Sequence, residues 1–446
     1  MKTCQHVMRI CIFLAVGCLT AFSHVLAAQE VRFAVISDAH YFDNALGVTG
    51  EAFEAYLAVD RKMIAESEAI LVATIDAIRA ANVQFLLISG DLTKDGELSS
   101  HQEMANYLQI LEDSGTHVYV IPGNHDVNNP NAVAYDGPDT IPVPNISPEE
   151  FEGIYNNFGF DQALSRDPHS LGYLAEPSPG LCILAMDSCR YRENQDYPIV
   201  GGHFSAETLD WIFNQIVWAQ ANGKQIIGMM HHGIIQHFSM QALLFQDWVV
   251  DDWLQISRFF ADAGLPLVFT GHFHAQDVVK RSWGVGEAET FLFDAETGSL
   301  VTYPVPHRIV TLDMRRRHAK IESHTITEIN YDTNGMPFPE YAMAYLEEDM
   351  LLLSQDILVN VFGLDSETAE TLAPHVMEAM IAHYAGDEDP TPANRLVIQN
   401  CLHNPDPAIR LIGAGLHSVW TDPAPADNHV ILDLATGAYW KGDGLP

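Results

Sequence analysis

Five separate apolar runs in this chain stop on the same kinds of residue, and that recurrence limits the fold more than any other feature. Val118 to Ile121 halts at Pro122-Gly123 and then delivers Asn124, His125 and Asp126 in succession. Val31 to Ser37 runs into Asp38-Ala39-His40, and Val83 to Ser89 runs into Gly90-Asp91. Gln225 to Met230 ends on His231-His232, and Pro266 to Thr270 ends on Gly271-His272-Phe273-His274. Runs of Val, Ile and aromatics closed by Gly or Pro read as buried strands. In an open α/β sheet the chemistry collects just beyond the carboxyl ends of the strands. Five strands ending on Asp, Asn or His therefore describe a constructed site along one rim.

The segments between these runs supply the rest of the fold class. A helical pattern extends from about Glu51 to Ala80, with Met63, Ile64, Ile70, Leu71, Ile75 and Ile78 at helix-like spacing. Another covers Glu97 to Ser114. This alternation of strand and helix predicts an α/β fold with a mostly parallel sheet covered on both faces. Asn128 to Pro148, rich in Pro and Asn, reads as an irregular loop at the pocket mouth. Ser205 to Gln220 is amphipathic, with Ser205 as its N-cap. From Thr290 to Ile326 the pattern turns to antiparallel strands, including Gly298 to Tyr303, which complete a second sheet packed on the first. Asn330 to Pro339 reads as a linker. Helical runs follow at Ala342–Phe362, Ser366–His383, Pro392–His403 and Pro407–Trp420. The domains expected are 29–335 for the site-bearing unit and 336–446 for a small all-helical unit.

Residues 1–28 are set apart from both. Lys2 and Arg9 precede the apolar stretch Ile10 to Phe22, and Ala27-Ala28 offer small residues for cleavage. That is the pattern of an export signal, which places the mature chain in the periplasm or outside the cell and makes a lipoprotein the lesser alternative. No later segment is long and apolar enough to span a bilayer. The formal charge of −37 is spread along the chain and disfavours polymeric nucleic acid, whose phosphates need Lys and Arg. Small anionic substrates stay open, because bound cations invert the local field. Cys182, Cys189 and Cys401 are too few for a disulfide scaffold.

The strand-end residues form a donor set of carboxylates, imidazoles and one amide oxygen, without cysteine. Such a set suits first-row divalent ions such as Mn, Fe, Zn, Co or Ni. In Asp38-x-His40 and His272-x-His274 the two members project to the same side of an extended chain, so each pair aims two ligands into one cavity. There are more ligands here than one ion needs, and a shared carboxylate would hold two ions about 3.5–4 Å apart.

In this order, Asp38-Ala-His40, Gly90-Asp91, Gly123-Asn-His-Asp126, His231 and Gly271-His-Phe-His274 resemble the calcineurin-like metallophosphoesterases. The resemblance implies a four-layer α/β/β/α sandwich and a pair of divalent ions, with manganese or iron favoured. By that likeness Asp38, His40 and His274 hold one metal, Asn124, His231 and His272 hold the other, and Asp91 bridges them. The nucleophile it implies is a hydroxide shared by the two ions. His125 would stabilise the transition state or protonate the leaving oxygen, oriented by Asp126.

Further stretches, Gly90 to Glu97, Ile121 to Pro130 and His231-His232…His237, are similar to a bacterial subgroup assigned as cyclic-nucleotide phosphodiesterases with a helical C-terminal domain. His232, His237, Tyr41 and Arg190 are the candidate substrate contacts. The expected function is hydrolysis of small phosphodiesters, cyclic nucleotides first. The alternatives are an exported monoesterase or nucleotidase, a phospholipid-head-group phosphodiesterase, and a metal-binding protein without turnover. The helical unit is the candidate oligomer contact.

Overall fold

A computed structural model describes residues 30–286, 289–386 and 388–442. The expected export signal and cleavage site therefore lie outside the described residues. Two seven-stranded sheets make up the body. The first runs, edge to edge, through Tyr439–Lys441, His429–Asp433, His318–Thr325, Pro306–Asp313, Glu30–Ile36, Phe85–Ile88 and His117–Val120. The second runs through Asp277–Trp283, Thr290–Glu296, Leu267–Thr270, Gln225–Met230, Leu181–Met186, Tyr173–Ser178 and Ser165–Arg166. Within each, the strands that carry the expected site are parallel neighbours: Glu30–Ile36 with Phe85–Ile88 and His117–Val120 in one, Gln225–Met230 with Leu267–Thr270 in the other. Their carboxyl ends therefore open toward one rim.

The sheets face each other across the largest apolar cluster. Phe33 of the first stacks on Phe85 with ring centroids 4.7 Å apart and meets Phe269 of the second edge-on at 5.7 Å. Complete burial of one such ring contributes about 1.5–3 kcal/mol. Helices Ser67–Ala81 and Leu98–Asp113 cover the outer face of the first sheet with Ile70, Leu71, Ile78, Met104 and Leu108. Ala206–Ala221 and Trp253–Ala263 cover the second with Ile212, Ile216 and Phe260. The expected four layers are present. Ser205 caps its helix by accepting from the Thr208 amide at 3.1 Å, as its position before the apolar periodicity requires.

The structure departs from the sequence expectation at four places. The long helix over 51–80 is two helices, Glu51–Leu57 and Ser67–Ala81. Met63 and Ile64 are adjacent yet both fully buried, one in the main core and the other against Phe42, Phe53 and Tyr135. Neighbouring residues reach two different cores only if the chain leaves the helix, and the Met63 amide donates instead to the Val301 carbonyl at 2.8 Å. Gly298 to Tyr303 is a buried turn and not a strand, apart from a single bridge of Ser299 to Ser37. The loop after Asn128 contains a hairpin, Val133–Asp136 with Asp139–Pro142. The C-terminal part is not helical to its end: after helices Phe338–Asn360, Ser366–Ala385, Pro392–Leu402 and Pro407–Val419, the strands His429–Asp433 and Tyr439–Lys441 return to the first sheet.

That helical region also packs onto the site-bearing rim. Phe273, between His272 and His274, is buried among Phe238, Phe245, Trp248 and Tyr384. No helix among the described residues is long and apolar enough to cross a membrane. Cys182, Cys189 and Cys401 are free thiols.

Candidate metal centre

The strand ends converge. Asp38, His40 and His274 each offer a ligand atom within 4.8 Å of the others, and so do Asp91, His231 and His272. Asp91 Oδ2 lies 3.6 Å from His40 Nε2 and 3.4 Å from His231 Nε2, so one carboxylate touches both groups. Asn124 Oδ1 is 3.0 Å from His231 Nε2.

The backbone is bent to achieve this. Eleven described non-glycine residues have positive φ, and Asp38, His40, Asp91, His272 and His274 are five of them. Each such residue costs of order 1–3 kcal/mol and persists only where the surroundings impose it. The flanking glycines are equally constrained. A Cβ on Gly123 would stand 2.1 Å from Asp91 Oδ1, and one on Gly271 would stand 1.9 Å from Ser37 Oγ and 2.5 Å from Asp38 Oδ2.

The residues fit a pair of divalent ions. Asp38 Oδ1 and His40 Nδ1 are buried without a hydrogen-bond partner, a costly state that a cation relieves in the carboxylate's case. His40 Nε2 and His274 Nε2 face each other at 3.3 Å with Asp38 Oδ1 3.4 Å from the latter. His231 gives its Nδ1–H to the Ser89 carbonyl at 2.8 Å and turns Nε2 toward Asp91 and Asn124, where a cation would take the place of a proton. His272 Nε2 meets the Asp247 carbonyl at 3.2 Å, leaving Nδ1 for the cluster. A ring nitrogen fixed by a carbonyl while the other ligates is the usual arrangement of a metal-bound imidazole. Burial, then neighbouring positive groups, hold His40 and His272 far below the ordinary histidine range, in the neutral ligating form.

His125 adjoins the cluster, its ring 4.9 Å from that of His40. Its Nδ1 lies 3.0 Å from Asp95 Oδ1. Burial pushes its pKa down, but Asp91 and Asp95 outweigh burial and raise it. Asp95 itself is driven up by burial yet ends lowered to about 2, because Lys94 and His125 surround it.

Several expectations are corrected here. Asp126 does not orient His125. It accepts from the backbone amides of Leu92, Thr93 and Gly123 and from the Thr93 hydroxyl, and so ties two motif loops together. Asp95 takes the place foreseen for it. His232 is fully buried with both ring nitrogens engaged, by Ser188 Oγ and the Val200 carbonyl at 2.8 Å each, so it supports the site from behind. His237 is not at the pocket: it is buried in a nest of Asp277, Asp294 and Glu296 at 3.2–3.4 Å. Tyr41 packs against Tyr107 in the core, with centroids 5.7 Å apart. Arg190 is paired with Glu193 at 2.6 Å and stays outside the cavity.

The cations that do face the centre are Arg61 and Lys62, in the break between the first two helices. Both line the cavity that holds Asp91, Asn124 and His125. Arg61 Nε is buried with no hydrogen-bond partner, and Lys62 is close enough to weigh on both His40 and His125. The loop is clamped by Tyr345 of the helix Phe338–Asn360, whose hydroxyl donates to the Lys62 carbonyl at 3.3 Å. The only sequence signal for this pair was its position in an otherwise acidic and apolar stretch.

Two facing sheets with paired Asp/His clusters at their carboxyl rim define a metal-dependent hydrolase of phosphoesters. The chain belongs to the calcineurin-like phosphoesterase family, whose model matches residues 31–276. No functionally curated protein matches the sequence. Among solved structures, a dimetal phosphatase from Danio rerio is similar with 13% identity and a TM-score of 0.45, covering 67% of this chain and 97% of its own. A purple acid phosphatase from yellow lupin seeds (Lupinus luteus) shares 10% identity with a TM-score of 0.38, over 67% of this chain and 52% of its own.

Proposed function

We propose that this protein hydrolyses small phosphodiesters at a dinuclear centre. Asp38, His40 and His274 form one half, Asn124, His231 and His272 the other, and Asp91 joins them. The observation that carries the reading is the Asp91 carboxylate within reach of imidazoles from both halves. Ions bound there would supply an activated water and neutralise charge on the phosphoryl oxygens.

The remaining work belongs to the protein. Arg61 and Lys62 bind the non-bridging phosphate oxygens and hold phosphorus against the centre. As the bond from phosphorus to the water oxygen forms and the ester bond breaks, His125 gives its Nε2 proton to the departing oxygen. Asp95 keeps the Nδ1–H of that ring in place. A proton from the water restores the imidazolium afterwards, so the balance is one diester and one water to one monoester and one alcohol. Cyclic nucleotides are the substrate class the sequence resemblance favours. Phospholipid-head-group diesters are the second reading, favoured by the apolar walls of the cavity. An exported location remains part of the proposal, resting on residues 1–28.

Elemental analysis of the purified protein should return two first-row ions per chain. With manganese added, bis(p-nitrophenyl) phosphate should be cleaved in preference to p-nitrophenyl phosphate, and the reverse preference would make this a monoesterase. His125→Ala should abolish most turnover of an alkyl diester, whose departing oxygen needs a proton, and keep both ions. Loss of an ion with the activity would reassign His125 as a ligand, a role its closeness to His40 and Asp91 allows geometrically.

A further inference from the structure

Outward from the metal centre, the cavity changes character. It occupies about 800 Å³, the size of a site for a drug-like ligand, and begins at Asp91, Asn124, His125, His272 and His274. It then continues beneath the helices Phe338–Asn360, Ser366–Ala385 and Pro407–Val419. Past Arg61 and Lys62 the walls are hydrocarbon and aromatic: Met350, Leu358, Phe362, Met380, Leu416 and Trp248 are representative. Among the described residues there, only Ser354, Tyr384 and the Trp248 indole carry side-chain polar atoms. At the margin of the same cavity, Leu243, Val361 and Leu411 are 71%, 74% and 41% exposed, so the apolar lining continues to the surface.

A nucleobase and ribose in this space would bury several ring nitrogens, carbonyls and hydroxyls with three groups to meet them, and unsatisfied buried polar groups are costly. A hydrocarbon chain meets no such penalty. We propose that the cavity takes the hydrocarbon chain of an amphiphilic phosphoester, with the phosphate at Arg61, Lys62 and the metal centre and the chain running under the helical region. The inference deepens the proposed phosphodiesterase and rests on that reading for its reaction. Its binding half stands on the cavity alone. The helical region thereby forms most of the wall that selects the substrate, and it packs on Phe273, the residue between His272 and His274 in the chain.

The test uses the full-length protein. Tryptophan emission, with Trp248 in the wall, reports binding of n-alkyl phosphates from butyl to dodecyl without any turnover. Affinity should rise several-fold per methylene, up to about fourfold for complete transfer from water. Leu416→Glu and the cavity-filling Leu353→Trp should each flatten that series. Because Leu416→Glu places a charge near the core, its melting curve is recorded, and Leu353→Trp carries the test if the first variant does not fold.

In turnover, a lysophospholipid diester and a prenyl phosphodiester distinguish acyl from prenyl chains. Preference for either over 3′,5′-cyclic AMP supports the inference. A flat alkyl series, or faster cleavage of cyclic AMP, overturns it while bis(p-nitrophenyl) phosphate hydrolysis still stands. A steep alkyl series without any diester cleavage leaves the binding inference and removes the proposed reaction instead.

Discussion

Replacing Asp95 by Asn probes the proposed chemistry at a residue that touches no metal ligand side chain. Asp95 Oδ1 faces His125 Nδ1 at 3.0 Å, and its other oxygen is held by the ammonium of Lys94. Lys94 is almost fully buried, can only donate, and has Glu97 as its next carboxylate at 3.9 Å. In the Asp95→Asn variant the single amide oxygen therefore goes to Lys94, and the amide NH2 turns toward His125. A donor now meets Nδ1–H, and the doubly protonated ring is opposed. The lost charge attraction at 3.0 Å is about 5 kcal/mol at an effective dielectric constant of about 20.

That figure bounds the effect from above, because water and side-chain adjustment recover part of it. The expected fall in kcat is about 10²- to 10⁴-fold for an ester whose leaving alcohol needs a proton, the range general acid catalysis contributes. For a p-nitrophenyl ester, whose leaving group departs as an anion, the fall should be several-fold only. Steady-state kinetics on an alkyl and a p-nitrophenyl diester, with metal content measured in parallel, separate this from general damage. On a His125→Ala background the Asp95→Asn substitution should add almost nothing. Equal losses on the two esters, or full additivity with His125→Ala, would refute the coupling of Asp95 to proton donation.

Three further outcomes follow from the same geometry. Arg61→Ala should weaken inhibition by inorganic phosphate roughly 10- to 100-fold, the worth of one charge-assisted hydrogen bond, and an unchanged inhibition constant would remove Arg61 from the phosphate site. Gly123→Ala should cost the protein metal, since its Cβ would fall 2.1 Å from Asp91 Oδ1; two ions at full occupancy would contradict the bridging placement. The third concerns pH. Burial lowers the pKa of His101 to about 3 and that of His307 to about 4, against roughly 6.5 when unfolded. The unfolded chain takes up these protons first, so stability is unaffected above pH 6.5 and falls as pH drops below it. Each group costs about 2 kcal/mol by pH 5. Urea titrations from pH 7 to pH 5 should show this loss, and His101→Gln should remove about one proton from the slope.

How much of this could be read in the sequence depends on the kind of signal. Strands that end on Asp, Asn and His are local features, and all five runs lie where their patterning put them. The capped helix after Ser205 was legible for the same reason. The break at 58–66 was not, because Met63 and Ile64 satisfy a helical period while serving two separate cores. That break is what delivers Arg61 and Lys62 to the phosphate side. The exchange of Asp126 for Asp95 beside His125 was hidden for a different reason: adjacency in sequence suggested contact, but residue 126 is turned away to cap the amides of Leu92 and Thr93. The nest around His237, a candidate substrate contact by sequence, was hidden as well, since its three carboxylates come from strands that start some 40 residues later or beyond, at Asp277 and Thr290.

The hidden features share one physical cause, which is that the helical region and the rim of the sheets define each other. Phe273 contributes its ring to the core beneath the helices and its two neighbours to the metal centre. Tyr345 reaches from the helix Phe338–Asn360 to fix the carbonyl of Lys62. The Tyr384 ring stands 6.5 Å from that of His274 while the backbone carbonyl of Tyr384 accepts from Gln276. A wall built only to cover a sheet edge would have no need of contacts with both the cation loop and the ligand loop. These contacts make the position of the apolar wall and the position of the phosphate-binding cations one structural variable. A substrate that seats its hydrocarbon correctly thus presents its phosphorus to His125 and Asp91 by the same act of binding. Binding energy from the part of the substrate that does not react is thereby available to orient the part that does.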